Sequence, residues 1–437
     1  MTRGLVIAAP ASGAGKTTVT LGLVRALRDA GVRIAGAKAG PDYIDPGFLA
    51  AAAGRPAPNL DVWAMRADTL RATVAGLDDA ELVIVEGVMG LFDGIGATGR
   101  GSTAELARAL GWPVVLVLDA RGAAASVAAM LRGFATHHPD VKLAGAIVNR
   151  VGSAAHATLI AEACAATGVA VPVLGALPRD PELGVPDRHL GLVQAIEHPR
   201  LEAFVAHAGA LIARHVDLAA CRALAAPGRP TLVGDGAPPL PPLGRRIAIA
   251  DDAAFGFRYP HVLDGWRRAG ATLLPFSPLA DAAPDPDADA IYLPGGYPEL
   301  HAAQLAGNRG FLEGVRAAAR RGAAIWGECG GYMVLGRTLI DAAGALHAMA
   351  GLLPLVTSFA DRALHLGYRN VRLAAAGALG AAGSSFRGHE FHYARIVEEG
   401  PGAPLFEASD AEGRAAAPAG RVLGTVAGSF IHLIDRA

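Results

Sequence analysis

The chain has almost no cysteine: three in 437 residues, Cys164, Cys221 and Cys329, far apart and without paired disulfide or metal-ligand spacing. That excludes a disulfide-stapled scaffold and a cysteine-rich zinc site, and it fits a reducing cytoplasm. Charge of one sign is missing too. Lys and Arg total 39 against 40 Asp and Glu, a net charge of −1, which gives no electrostatic reason to expect nucleic acid or an anionic membrane as partner. Long apolar runs are absent: stretches such as Trp112 to Leu118 stop at charged residues, far short of the roughly 20 residues a membrane span needs. The amino terminus, Met1-Thr2-Arg3-Gly4, passes straight into a strand-like run and a glycine loop, with no room for a signal peptide. A cytoplasmic protein with no membrane partner is expected.

What is present is a hydrophobic fraction of 52% with 18% charged residues, the balance of a compact globular protein. The length exceeds what one core usually organises, so two domains of about 200 residues are the natural division. Valine-, isoleucine- and leucine-rich runs recur at Gly4–Ala9, Val32–Ala37, Leu82–Val85, Val114–Leu118 and Leu143–Val148, with alanine-rich helical segments between them. Continuous apolar runs alternating with helices predict buried parallel strands and crossover helices, hence a doubly wound α/β domain over 1–225. Residues 226–244, with Ala-Pro-Gly-Arg-Pro and Ala-Pro-Pro-Leu-Pro-Pro-Leu-Gly, sustain neither a helix nor a central strand and read as a linker. A second α/β domain is expected over 245–437, with strands at Arg246–Ala250, Ala290–Leu293 and Ala323–Trp326, and a surface loop at Ala374–Ala382.

Ligands in such sheets bind at the carboxyl ends of strands, and the polar motifs follow apolar runs. After the first run comes Ser12-Gly13-Ala14-Gly15-Lys16-Thr17-Thr18 and then a helical pattern, Val19–Ala30. Small residues let backbone amides close around phosphates, Lys16 reaches the β- and γ-phosphates, Thr17 holds Mg²⁺, and the helix N-terminus favours the anion. Pro10 stands where the usual leading glycine would be, so the first turn of the loop must differ. A nucleoside triphosphate is expected, bound through Ser12, Gly13, Gly15, Lys16, Thr17 and Thr18. The second run leads into Lys38-Ala39-Gly40-Pro41-Asp42-Tyr43-Ile44-Asp45-Pro46 and the third into Glu86-Gly87-Val88-Met89-Gly90-Leu91-Phe92-Asp93-Gly94. Asp42 and Glu86 are either turn residues or partners of Thr17 around a hard cation, and the shared sheet edge favours the cation. Asn149 is either a contact to the nucleotide base or a loop cap.

In the second half the run ending at Trp326 enters Gly327-Glu328-Cys329-Gly330-Gly331-Tyr332. A cysteine on a glycine-flanked turn from strand to helix resembles a nucleophile elbow, in which the thiol projects into a pocket and the helix N-terminus stabilises thiolate and oxyanion. Upstream, Leu293-Pro294-Gly295-Gly296-Tyr297-Pro298-Glu299 supplies amides, that of Gly296 with that of Gly330, for an oxyanion hole. The base is His432, in Gly-Ser-Phe-Ile-His, or His389 or His392, in Gly-His-Glu-Phe-His-Tyr, and spacing does not choose among them.

Together these motifs resemble the cobyrinic acid and hydrogenobyrinic acid a,c-diamide synthases of cobalamin biosynthesis, and the resemblance runs over nearly the whole chain. It implies a dethiobiotin-synthetase-like P-loop domain followed by a class I glutamine amidotransferase domain. It makes Cys329 the nucleophile and His432 its base. Related amidotransferases carry a Glu two residues after the base; here that position is Ile434 and Asp435 stands one further on, so a Cys–His dyad is expected. Tyr43, Asp45 and Asp93 become substrate-side candidates, and a homodimer is implied. ATP with Mg²⁺ near Thr17, Asp42 and Glu86 would convert a corrinoid carboxylate to an acyl phosphate, and ammonia from glutamine would displace the phosphate, on the c and then the a acetate. Free ammonia is mostly protonated at neutral pH, which gives a reason to expect a shielded path between the sites. The rivals are cobyric acid synthases, nickel-sirohydrochlorin amidases, a ParA/MinD-like ATPase switch, whose extra lysine is replaced here by Ala11, and a stand-alone glutaminase.

Overall fold

The structure, a computed structural model, describes residues 2–184, 187–188, 191–228 and 237–437. It forms two units: Met1–Trp63 with Leu70–Asp235, and Gly236–Ala437 with the short segment Ala64–Thr69. The proline-rich stretch is partly packed. Pro227 and Ala226 pair antiparallel with Arg3 and Gly4 in the first unit, while Leu240 and Leu243 are buried and the Trp266 indole donates to the Pro241 carbonyl (3.1 Å) in the second. Its central residues, 229–236, lie outside the described residues.

The first unit is built on a parallel sheet ordered Asn59–Leu60, Ile34–Ala39, Leu82–Glu86, Arg3–Ala8, Val114–Asp119, Leu143–Val151, Val173–Pro178. The central strands are buried on both faces, which is why they read as unbroken apolar runs. The strand order reverses around Arg3–Ala8, so the loops after Ala8, Ala39 and Glu86 open at one sheet edge. Two expected strands are longer than their apolar cores. One runs on to Lys38 and Ala39, the other through Asn149 to Val151, so polar side chains sit inside the ladder. Helix Lys16–Asp29 starts at Gly15 (φ 87°), a left-handed position that glycine takes without strain. A Cβ on Gly22 would come within 2.7 Å of the Ala208 carbonyl, so glycine there lets helix Leu201–His215 lie close against this one.

The second unit has a sheet ordered Thr272–Phe276, Arg246–Ala250, Ala290–Leu293, Ala324–Glu328, Val426–Ser429, Arg421–Leu423, parallel except for the last strand. Helix Arg309–Arg320 buries Phe311, Leu312, Val315 and Ala318, one face of a 3.6-residue period, in a core with Phe255, Ile325 and Leu335. Each such large apolar side chain removed from water contributes about 1.5–3 kcal/mol. Much of 338–436 is antiparallel, against the α/β expectation for this half. One sheet, antiparallel throughout, joins Ala417–Ala419, Phe406–Asp410, His365–Leu373, Ser385–His392 and Ile431–Arg436, and a mixed one joins Leu346–Ala348, Thr338–Ile340, Leu355–Ser358 and Arg395–Glu399, with Thr338–Ile340 and Leu355–Ser358 parallel. The Ala374–Ala382 stretch is a loop, closed by paired Gly377 and Gly380.

Candidate active sites

In the first unit the glycine loop wraps the start of its helix, with Gly13 (φ 80°) and Gly15 both left-handed. Asn149 donates to the Ala14 carbonyl at 2.9 Å, and a Cβ on Gly15 would meet its amide nitrogen at 2.2 Å. In this state Asn149 therefore braces the loop. The next residue, Arg150, has a left-handed backbone (φ 61°) and donates to the Gly13 carbonyl and to Asp119, both at 2.7 Å. A second brace thus comes from a residue that the motif reading passed over.

Beneath the loop lies a buried charge cluster. The Thr17 hydroxyl donates to Glu86 Oε1 at 2.5 Å. Lys38 Nζ is 3.1 Å from the same oxygen, pairs with Asp45 and donates to the Gly87 carbonyl at 3.3 Å. Burial works against the Lys38 charge, but Glu86 and Asp45 hold the ammonium well above its usual range. Glu86 is pushed up to about 7 by burial and then by Asp45, against Lys38 and Lys16. Lys16 is itself lowered by burial, with Glu86 opposing.

The expected residues separate into those brought together and those not. Thr17, Glu86 and Lys16 converge. Asp42 Oδ1 accepts the amides of Ile44 (2.7 Å) and Asp45 (2.9 Å), capping the turn into helix Asp45–Ala53. Asp45 is buried in its pair with Lys38; Tyr43 is half-buried; Asp93 is exposed and accepts the Gly90 amide at 2.9 Å. Ser12 is exposed on the loop, and Thr18 turns away to the Leu183 carbonyl (3.3 Å). For a hard cation the donor set fits: Thr17 Oγ1 stands beside a fully buried carboxylate whose Oε2 has no hydrogen-bond partner among the described residues.

In the second unit Cys329 closes strand Ala324–Glu328 with φ 45° and ψ −101°, a conformation that costs a non-glycine residue about 1–3 kcal/mol and marks a strained elbow. The flanking glycines make the turn possible by close approach: a Cβ on Gly331 would lie 1.9 Å from the Leu293 carbonyl. A Cβ on Gly330 would lie 3.1 Å from the Gly296 amide nitrogen, so the two proposed oxyanion donors share one corner. A small, partly open pocket lies there, lined by Gly296, Tyr297, Glu299, Cys329, Phe391 and His392 among others. Burial, and then Glu299, push the thiol far above its ordinary range.

The three histidines have different surroundings. His432, on the last strand, is buried against Gly295, where a Cβ would meet its Cε1 at 2.2 Å, and burial lowers its pKa to about 3. His389 pairs in register with it and is lowered to about 4 by burial and then Arg369. His392 has Nδ1 3.0 Å from the Ala394 carbonyl and Nε2 2.9 Å from Glu390 Oε1, so both nitrogens face acceptors and neither is directed at a thiol. Its ring stacks between Phe430 (3.8 Å) and His365 (4.6 Å). Burial opposes charge on Glu390, but His392 and Arg369 overcome it and hold the carboxyl at about 2. His365, Glu390 and His392 have ligand atoms within 4.8 Å, but Arg369 puts Nε (2.8 Å) and a second nitrogen (2.7 Å) on Glu390 Oε2, a cation where a metal would need the charge.

Asp435, which stands one residue beyond the usual acidic position, is occupied elsewhere. Its carboxylate takes the Arg66 amide (2.7 Å) and Nε (3.0 Å). Glu328, unassigned from sequence, is buried with Oε2 accepting the Tyr292 hydroxyl (2.6 Å) and Oε1 accepting the Leu433 amide (2.9 Å). Burial raises it to about 8, with those two donors opposing. A glutamate inside an apolar strand, next to a candidate nucleophile, was the available signal; Lys38 at the end of an apolar strand was the equivalent one in the first unit.

Residues 5–193 match a family described as the CobQ/CobB/MinD/ParA nucleotide binding domain, and residues 246–436 match the CobB/CobQ-like glutamine amidotransferase domain. The chain is 55% identical over 435 residues to the hydrogenobyrinate a,c-diamide synthase of Rhodobacter capsulatus, covering 99% of this chain and 98% of the relative. It is 54% identical over 437 residues to that of Rhizobium meliloti, covering 99% of each. The Brucella abortus enzyme of the same name is 52% identical over 438 residues, with 99% and 98% covered.

Proposed function

The chain belongs to the hydrogenobyrinate a,c-diamide synthase family, and on that premise we propose that it is a glutamine-dependent amidotransferase converting the a and c acetate carboxylates of hydrogenobyrinate to amides, with ATP consumed to activate each one. The observation that carries the reading is the pairing, in one chain, of a phosphate loop whose Thr17 meets the buried Glu86 with a strained Cys329 elbow at a pocket.

In the glutaminase half, Cys329 attacks the glutamine amide carbon, its proton passing to His432, and the amides of Gly296 and Gly330 take the oxyanion. His432 then passes that proton to the amide nitrogen, which leaves as ammonia as the C–N bond breaks, and water hydrolyses the glutamyl thioester. His432 suits this role because burial keeps its imidazole neutral, whereas His392 is held on both sides by acceptors. In the synthetase half, the loop amides and Lys16 bind the triphosphate and offset charge on the γ-phosphoryl group as a substrate carboxylate attacks it. Ammonia then displaces phosphate from the acyl phosphate. Thr17 and Glu86 would hold Mg²⁺, which neutralises phosphate charge when bound. Tyr43, Asp45 and Asp93 stay substrate-side proposals, Asp45 acting through Lys38; Asp42 shapes the turn and Asn149 the loop.

The test is incubation of the protein with ATP, Mg²⁺, glutamine and a panel of tetrapyrrole acids, read by product mass. Two amidations on hydrogenobyrinate are expected. Amidation of later carboxylates instead would place the chain with cobyric acid synthases, and preference for a nickel-containing ring with the sirohydrochlorin amidases. Glutamine hydrolysis without amidated product would leave a glutaminase alone.

A further inference from the structure

Neither residue that follows the base supplies an acidic partner for it. Ile434 is apolar and buried, and both oxygens of Asp435 accept from Arg66, with Oδ1 also taking the Arg436 amide (2.8 Å). Two carboxylates bear on His432: Glu390, which is taken by Arg369 and His392, and one from a different strand, Glu328, whose Oε2 stands 3.8 Å from His432 Nδ1. Glu328 is the residue immediately before the nucleophile, on strand Ala324–Glu328, so one strand end would carry both the thiol and the acid. Its position is fixed from two sides. Tyr292, stacked on Trp326 (5.2 Å), donates to Oε2, and the amide of Leu433, the residue after His432, donates to Oε1. Both oxygens accept, so these two donors favour the carboxylate form against the burial that raises the group to about 8.

Resting on the Cys329–His432 reading, we propose that Glu328 is the positioning residue of the glutaminase site, accepting the Nδ1–H of His432 and so keeping the Nε2 lone pair for the thiol proton. Closing 3.8 Å to a hydrogen bond takes a movement of about 1 Å, the kind of tightening that ligand-free catalytic sites make on binding substrate. The carboxylate also offsets the imidazolium formed when His432 takes the proton; no atom is transferred to Glu328. An acid that orients the base from beside the nucleophile makes the missing acidic residue two positions after the histidine unnecessary.

The experiment uses the full chain. Glu328→Gln keeps the side-chain volume and an acceptor for Leu433, but its NH₂ favours the wrong imidazole tautomer. Glutamine-dependent amidation should fall by roughly 100-fold to 10,000-fold in kcat, the range seen when a triad acid is made an amide, with KM for glutamine within about threefold and ammonia-dependent amidation unchanged. Nitrogen NMR of labelled histidine should show His432 protonated on Nδ1 in the native chain and on Nε2 in Glu328→Gln. Glu328→Asp should restore part of kcat and the native tautomer, and it stands as the test if Glu328→Gln fails to fold. A Glu328→Gln kcat within threefold of native, or a loss of activity with no change of tautomer, overturns the proposal. Cys329→Ala and His432→Ala separate the two levels: if they leave glutamine use intact, the Cys–His reading itself fails; if they abolish it while Glu328→Gln does not, only the role of Glu328 fails.

Discussion

The two candidate sites solve opposite electrostatic problems. In the first unit, buried charge is kept by pairing: Lys38 lies between Asp45 and Glu86, and Lys16 is close enough to Glu86 for its field to oppose the burial penalty. In the second, the reacting groups are kept uncharged, because burial raises the Cys329 thiol and lowers His432 to about 3. A phosphate site needs fixed charges waiting for an anion. A glutaminase benefits from a neutral thiol and imidazole that separate charge only as the amide is attacked. The difference teaches that burial is not one signal: beside opposite charges it yields an ion cluster, and in an apolar pocket it yields a poised neutral pair.

Breaking the neutral pair should give the largest effect. Cys329→Ala is expected to abolish glutamine-dependent amidation, a loss of at least about 10⁴-fold, while leaving amidation supported by high external ammonia. Loss of both would mean that the two halves do not work as separate sites. Lys16→Ala, the matching change in the charged site, should lower amidation by roughly 100-fold with either nitrogen donor, and glutamine hydrolysis should survive. Amidation near the native rate would make the glycine loop a structural turn.

Smaller and more diagnostic is Gly295→Ala, whose methyl would press on His432 Cε1. Displacing the imidazole should cost glutaminase about tenfold to 100-fold with little change in ammonia-dependent amidation; a normal rate would show that the ring is not held at Gly295. The subtlest expectation concerns acid stability. His432 titrates near 3 in the fold against an ordinary 6.5, and Glu390 near 2 against 4.5, so the unfolded chain binds more protons across these windows. Stability of the second unit should therefore fall as pH drops from 6.5 toward 2. In urea titrations, His432→Asn and Glu390→Gln should each flatten part of that slope, and an unchanged slope would contradict the burial argument.

How legible each site was follows from how local it is. Ser12 to Thr18 form one strand–loop–helix unit, and a phosphate loop is local chemistry: small residues, a lysine and a hydroxyl within seven positions. The Cys329 elbow is equally local in sequence, a cysteine and two glycines in consecutive positions, although what demands those glycines is close approach to Leu293 and Gly296. The antiparallel half of the second unit was not legible, because its strands, such as the exposed Arg395–Glu399, lack the continuous apolar runs of a parallel sheet. Nor was the position of Ala64–Thr69, which belongs to the second unit by contacts such as that of Arg66 with Asp435, 369 residues away in sequence.

The sequence by itself determined the class of chemistry, because phosphate binding and thiol catalysis each need particular residue types in consecutive positions. Only the tertiary structure decided which side chains serve each other. Asn149 and Arg150 brace a loop more than 130 residues distant, His392 is spent on Glu390 and the Ala394 carbonyl, and Glu328 faces His432, 104 positions along the chain. These pairings depend on strand order and register, which place remote residues within a few ångströms and leave no trace in local spacing.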